Sequence, residues 1–410
     1  MSALLEPVRL IDADFLRDPY PGYRAWREAG PLHWSEEFFD GAWVLTRHAD
    51  VEAALRDPRL SAQRTGGWVM EAAEGERAQL RPLQRLFARA MLFLDPPDHQ
   101  RLRQIMQPAF RPDRLAALQS ELDLMVGQLI DAVEDAPGTE FDFMECIARP
   151  LPARVIARLM GLEQAREADC MAWSEDLAAF IGAARPTPEQ ARTAQSSLIE
   201  MAAYFEQELL PRRRREPGDD IVSRLLEAER QGQIGAGAEL LAQCAMLLFA
   251  GYETTRNLLG NGMLTLMHQR DQWQVLCDQP ERVPNAVREL LRYDSPVQWT
   301  GRRVAADFEL HGQTLRRGEL LIALIGSANR DPARHEQPER LDVRRANPGA
   351  LSFGSGPHIC IGAALTQIEA QTLFGALVRR CPGWTLAGSP RRNGNPVYRG
   401  LEVLPLRTQD

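Results

Sequence analysis

The sequence predicts a mainly α-helical fold with a smaller β-rich region, on three observations. Helical periodicity runs almost unbroken from Pro97 to about residue 280 and gives a helical bulk over roughly 97–300. Inside it, residues 236–268 form the longest helical pattern, apolar nearly all round (LLAQCAMLLFAGYETT), which places that helix through the protein centre. Short strand-like pieces bounded by turn residues gather near both chain ends, and helices and strands together suit one compact unit over residues 1–410.

Along the chain, Pro19-Tyr20-Pro21-Gly22 opens a short helix that Gly30 closes, since proline in a first turn removes an N–H that has no partner there. Leu32 to Arg47 alternates around Asp40-Gly41, a hairpin signal, and His48 to Asp57 returns to helix. Residues 58–94 hold Gly66-Gly67 and no sustained period, which predicts a long functional loop with short helical pieces. The run Arg212 to Arg215 closes a helix, where four cations suit the negative end of its dipole. The pattern over 236–268 extends about 50 Å at 1.5 Å per residue. After Pro296 the segment from Gly301 to Gly326 breaks into short strands, a loop-rich stretch reaches Gly362, a last helix spans Ala363 to Arg380, and the tail carries further strand-like pieces.

Composition narrows the function. With 44% hydrophobic and 25% charged residues among 410, the chain can bury a large core, and a net charge of −8 argues against nucleic acid as the general partner. Every basic residue is arginine; the absence of lysine excludes a lysine Schiff base and a lysine-dependent phosphate loop. The first residues hold no apolar run long enough for a signal peptide or membrane anchor, so a cytoplasmic protein is expected. The six cysteines contain no CxxC pair, and a disulfide framework is not expected in a reducing compartment. Cys146, Cys170, Cys244, Cys277 and Cys381 sit in apolar, helix-like surroundings as small core residues. Cys360 differs, standing in a glycine-rich loop.

That loop reads Phe353-Gly354-Ser355-Gly356-Pro357-His358-Ile359-Cys360-Ile361-Gly362. Its glycines permit backbone conformations that a Cβ forbids and let the chain approach a flat ligand. A cysteine just before a helix N-terminus gains from the dipole and from backbone N–H groups that favour thiolate. The run resembles the cysteine-ligand loop of the cytochromes P450, and the resemblance extends from Asp18-Pro19-Tyr20 to the tail. It implies a single cytochrome P450 domain over 1–410, a long central helix over the cofactor, haem b, and Cys360 as ligand to the iron.

Three further motifs match. Glu289 and Arg292 share a helix face at i, i+3; alone they would be a solvated pair, but the family has a buried ExxR here, completed by an arginine in a later loop. Pro338-Glu339-Arg340-Leu341 resembles that loop and makes Arg340 the expected third member. Ala250-Gly251-Tyr252-Glu253-Thr254-Thr255 resembles the family's acid–alcohol pair, with Gly251 opening a groove for dioxygen and Glu253 and Thr254 relaying protons. His99 and Arg103, one turn apart, resemble the family's HxxxR that binds haem propionates, and His358 and Arg302 match further propionate contacts, with Arg303 the alternative to Arg302. Leu365-Thr366-Gln367 departs from the family's usual Leu-Ala-Arg after the cysteine.

The resemblance implies a monooxygenase that hydroxylates or epoxidises a hydrophobic small molecule with O2, in secondary metabolism. Substrate-facing positions are Leu247, Phe249, Ala250, Val297 and Trp299, with the 58–94 loop. Electrons must come from a separate ferredoxin or flavodoxin with its reductase, because the chain carries no flavin or iron–sulfur motif; Arg101, Arg111 and Arg114, mostly unopposed in sequence, offer a basic docking patch or an ordinary solvated face. A peroxide-driven peroxygenase and a non-catalytic haem sensor are the alternatives, and the Glu253-Thr254 pair weighs against both.

Overall fold

Ala238–His268 forms one 31-residue helix, buried on nearly every face, around which the other elements pack. The computed structural model describes residues 12–39, 41–63, 81–135, 138–183, 186–346 and 348–408. Close packing at the central helix follows from its glycines: a Cβ on Gly262 would lie 2.9 Å from Phe374, on the helix Ala363–Arg380. The main apolar core draws on residues from Phe15 to Leu406.

Strand pieces distant in sequence combine into sheets. Leu32–Ser35 (β1) and Ala42–Leu45 (β2) form the expected hairpin, with Trp34 opposite Trp43. The connection is wider than a two-residue turn, and Asp40 lies outside the described residues. Leu60–Ser61 (β3), Thr300–Val304 (β5) and Leu320–Ala323 (β8) complete a five-stranded sheet of order β1-β2-β8-β5-β3. Only the β2–β8 pair is parallel; β5 places Arg302 opposite Leu321. Phe308–Leu310 (β6) and Gln313–Leu315 (β7) make a separate hairpin. Glu140–Asp142 (β4) interrupts the helical bulk unannounced, because three residues carry no measurable alternation. It pairs with Pro405–Arg407 (β12), which also pairs with Thr385–Leu386 (β9); Arg391–Arg392 (β10) pairs with Leu401–Val403 (β11).

The region 58–94 contains β3, a helix Arg81–Phe87 and a 3-10 turn Met91–Phe93; residues 64–80 of the expected loop lie outside the described residues. Arg212 to Arg215 end the helix Leu210–Arg215, and three of them pair: Arg212 with Glu163, Arg213 with Asp220 at 2.8 Å and Arg214 with Glu229 at 2.8 Å. Arg101, Arg111 and Arg114, expected to be mostly unopposed, are each paired. Arg101 meets Asp98 at 3.0 Å and Glu239 at 2.5 Å, Arg111 meets Asp113 at 3.2 Å, and Arg114 meets Asp219. Some of these acids are chain neighbours and others arrive from distant elements, which sequence distance concealed.

Buried charges tie the two ends of the chain to the helix Val283–Tyr293. Asp294 accepts from Arg399 at 2.8 Å, Arg392 at 3.2 Å and the Tyr20 hydroxyl at 2.8 Å. Burial raises its carboxyl, but Arg399 and Arg392 outweigh that and hold it down at about 2. His335, buried among Arg292, His48, Arg334 and Arg345, has its imidazole pulled down to about 3, first by desolvation and then by those positive neighbours. The unfolded chain protonates this group near 6.5, so its stability contribution is complete above that pH and is lost as pH falls towards 3. Urea titrations at pH 7 and pH 4.5 should show His335→Leu losing less stability on acidification than the parent, by on the order of 2 kcal/mol; equal losses would refute the assignment.

Candidate active site

The glycine-rich loop is shaped by two left-handed residues, Gly354 at φ +74° and Gly356 at φ +72°. A Cβ on Gly356 would also lie 2.9 Å from the Leu55 carbonyl, so only glycine lets the loop seat on the helix His48–Arg56. Arg56 Nε donates to Ser355 Oγ at 2.7 Å, and the Cys360 N–H donates to the Phe353 carbonyl at 2.8 Å. Cys360 is thereby set on the wall of an internal cavity, just before the helix Ala363–Arg380. Its surroundings favour thiolate less than the sequence suggests. Desolvation pushes the thiol up, and the Gly362 N–H and Arg103 only partly pull it back.

A cavity of about 250 Å³ separates Cys360 from the central helix. Its wall brings together His99, Arg103, Arg302, His358 and Cys360, and no carboxylate lines it among the described residues. The His99 and His358 ring centroids lie 4.0 Å apart, and the buried His99 Nδ1 has no partner. Desolvation, then Arg103, lowers the His99 imidazole. Arg103 donates to the Ile359 carbonyl at 2.8 Å. The Ile359 side chain is 45% exposed although it lines this cavity, an apolar surface that a ligand would cover. Arg302 is buried on the same wall, whereas Arg303 donates to the Gly318 carbonyl and borders a neighbouring cavity. An apolar slot with cations and no acids suits a flat apolar group bearing carboxylates, with a thiol on one side to hold a metal. The residues present therefore fit a haem.

The neighbouring cavity, about 420 Å³, shares Leu92, Ala250, Thr254, Val297, Thr300 and Cys360 with the first. All five residues expected to face substrate border this space: Leu247 the first cavity, Phe249 and Trp299 the second, Ala250 and Val297 both. Thr254 Oγ1 donates to the Ala250 carbonyl at 3.2 Å. Glu253 is fully buried and does not border either space; it faces a third cavity, and burial pushes its carboxyl up. Gly251 opens no groove. A Cβ there would meet Ile156 at 2.6 Å, so its smallness serves contact with the helix Pro150–Met160.

Glu289 and Arg292 are wholly buried and joined by two hydrogen bonds of 2.8 Å. The third cation is Arg345, whose Nε lies 3.1 Å from Glu289 Oε1, and not Arg340. The Arg340 side chain is exposed, while its carbonyl accepts from Arg292 at 3.1 Å. The loop turns after Arg340 and puts the Asp342 N–H on Glu289 at 3.0 Å, so the arginine three positions further on reaches the acid. Sequence also missed Thr366, whose hydroxyl borders the Cys360 cavity 3.3 Å from that of Thr255; its departure from the family pattern was the available signal.

The chain is similar to known proteins along nearly its whole length. Residues 281–389 match the family described as Cytochrome P450. The chain is 38% identical over 374 residues to Cytochrome P450 107B1 of Saccharopolyspora erythraea, covering 89% of each chain. It is 34% identical to the Cytochrome P450 monooxygenase PikC of Streptomyces venezuelae, covering 97% of this chain and 92% of that one. Among solved structures, P450BioI in complex with an acyl carrier protein ligated to hexadec-9Z-enoic acid superposes with a TM-score of 0.89 at 30% identity, over 97% of this chain and 100% of that chain. Epothilone D-bound P450epoK does so with a TM-score of 0.89 at 29% identity, over 98% and 99%.

Proposed function

The chain belongs to the cytochrome P450 family and is a haem-iron monooxygenase, and from that premise we propose that its substrate is a hydrophobic small molecule of secondary metabolism. The reaction is hydroxylation or epoxidation, with O2 as oxidant and electrons from a separate ferredoxin or flavodoxin and its reductase. The observation that carries this reading is the pair of joined cavities in which Cys360, a rim of cations and an apolar wall meet. Relatives named for polyketide biosynthesis and for epothilone D binding support the substrate class.

Haem, when bound, supplies an iron that activates O2, and a cysteine thiolate ligand favours O–O cleavage. Cys360 would hold that iron, and His99, Arg103, Arg302 and His358 would hold the propionates of haem b. Phe249, Trp299 and Val297 keep water out and orient an apolar substrate against the central helix. Thr254 borders this space, and Glu253, which faces the third cavity, supplies its protons through intervening water. Thr254→Ala should lower product per reductant consumed by about tenfold or more, with peroxide making up the difference; unchanged coupling would remove the relay. Spectral titration of the haem-loaded protein with a library of hydrophobic compounds, followed by product analysis under isotopically labelled O2, tests the substrate class. Tight binding confined to strongly polar compounds would overturn it.

A further inference from the structure

Gly301 and Arg303 stand two positions apart on β5, so they share one face of the sheet, and both border the cavity of about 420 Å³ that reaches Cys360. Strand β8 extends that face. Its Ile322 lies opposite Gly301 and its Leu320 opposite Arg303, and both border the same cavity, as does Trp299 just before β5. One side of the cavity is therefore apolar from Trp299 onward and ends in a guanidinium. Among the described residues Arg303 is the only cation on this wall. We propose that Arg303 receives the carboxylate of an amphipathic acid whose hydrocarbon chain lies along this face, with the carbon to be oxidised at the Cys360 end. The proposal rests on the hydrophobic-substrate reading above and names a substrate class within it.

The bonding of Arg303 argues for an anion. It donates to the Gly318 carbonyl at 2.6 Å, and among the described residues no carboxylate pairs with it. One of its five N–H donors is thus used, and the planar fork that remains suits a carboxylate held by two parallel bonds. Glu319 shares the wall, but its Oε2 is engaged, accepting from Trp43 Nε1 at 2.7 Å and from the Arg316 N–H at 2.9 Å. Its charge weakens the pull on an anion without filling the fork. Arg303 is half-buried, so a carboxylate bound there is less screened than one on an open surface.

Position points the same way. Thr300 borders both cavities, and Arg303 lies three residues, about 10 Å, further along the strand. A head group anchored there stays away from Cys360, and oxidation falls on the distant part of an extended chain. Arg302, next to it in sequence, borders the first cavity and not this one. Two adjacent arginines thus serve two anions, one on the cofactor and one on the substrate.

Spectral titration of the haem-loaded protein with dodecanoic, tetradecanoic and hexadecanoic acids and with their methyl esters tests the proposal. At the best-fitting length the acid should bind about tenfold more tightly than its ester, and rising ionic strength should weaken the acid alone. Arg303→Gln should raise the Kd of the acid about tenfold and leave that of the ester unchanged, while Arg303→Lys should keep part of the difference. Arg303→Glu should reverse the preference, so that dodecyltrimethylammonium binds more tightly than dodecanoic acid. In turnover, Arg303→Gln should spread oxidation over more positions of the acid, because the head group no longer fixes the chain. Equal affinity of the parent for acid and ester, or an acid preference that survives Arg303→Gln, overturns the proposal. If the esters are oxidised and the acids show no advantage, the carboxylate anchor alone is wrong; if no acid, ester or other hydrophobic compound binds, the hydrophobic-substrate reading itself fails.

Discussion

Cys360→Ser should abolish the thiolate-type spectrum of the reduced, carbon monoxide-bound protein and lower product formation about a thousandfold or more, equivalent to roughly 4 kcal/mol of barrier. No other cysteine can substitute. Cys170, Cys244 and Cys381 are buried in the core with thiols pushed up by desolvation, and Cys146 and Cys277 border neither cavity that contains Cys360. The scaffold should survive the change, because the loop is held by Gly354, Gly356 and the Arg56–Ser355 contact and needs no sulfur. Circular dichroism should therefore match the parent. A retained thiolate spectrum in the serine variant would disprove the ligand assignment.

Arg292→Leu should cost about 3 kcal/mol, because it removes the two-bond partner of Glu289 in a fully buried site and leaves that carboxylate only Arg345 and the Asp342 N–H. It also removes donors to the carbonyls of Asn329, Pro338 and Arg340, which shape the segment leading to the cysteine loop. Poor haem incorporation should accompany the lost stability. The neighbouring arginines then separate cleanly. Arg345→Ala should cost several times more than Arg340→Ala, since the first touches Glu289 and the second leaves its contributing carbonyl in place. Thermal melts of the haem-loaded variants measure this, and equal effects of the two alanines would restore Arg340 to the network.

Much of this was legible in the chain. The central helix announced itself because burial on every face leaves an unbroken apolar run, and the cysteine loop did so because glycine spacing records backbone shapes directly. His99, Arg103 and Cys360 were legible together only through their family pattern; cavity walls assembled from distant segments have no local periodicity. The choice of Arg345 over Arg340 was not legible. It depends on where a loop turns, and several arginines within a few residues present identical chemistry. Arg101, Arg111 and Arg114 misled for a related reason: their partners Glu239 and Asp219 are more than a hundred positions away from Arg101 and Arg114. Arg256, buried in the central helix, was equally illegible, because its partner Glu175, 2.6 Å away, stands 81 positions earlier in the chain.

Strand β12 lies between β4 and β9, with Leu406 facing Phe141 on one side and Leu386 on the other. In kinetic terms this is a non-local closure, and the loop entropy it requires must be met before its hydrogen bonds contribute. Helices formed from near neighbours can condense earlier, whereas this small sheet can zip only after residues far apart in the chain have met. Until then β4 lacks its partner β12, and its backbone groups stay open to pairing with another chain. The order of assembly, as much as the final contacts, thus bears on how the protein avoids aggregation.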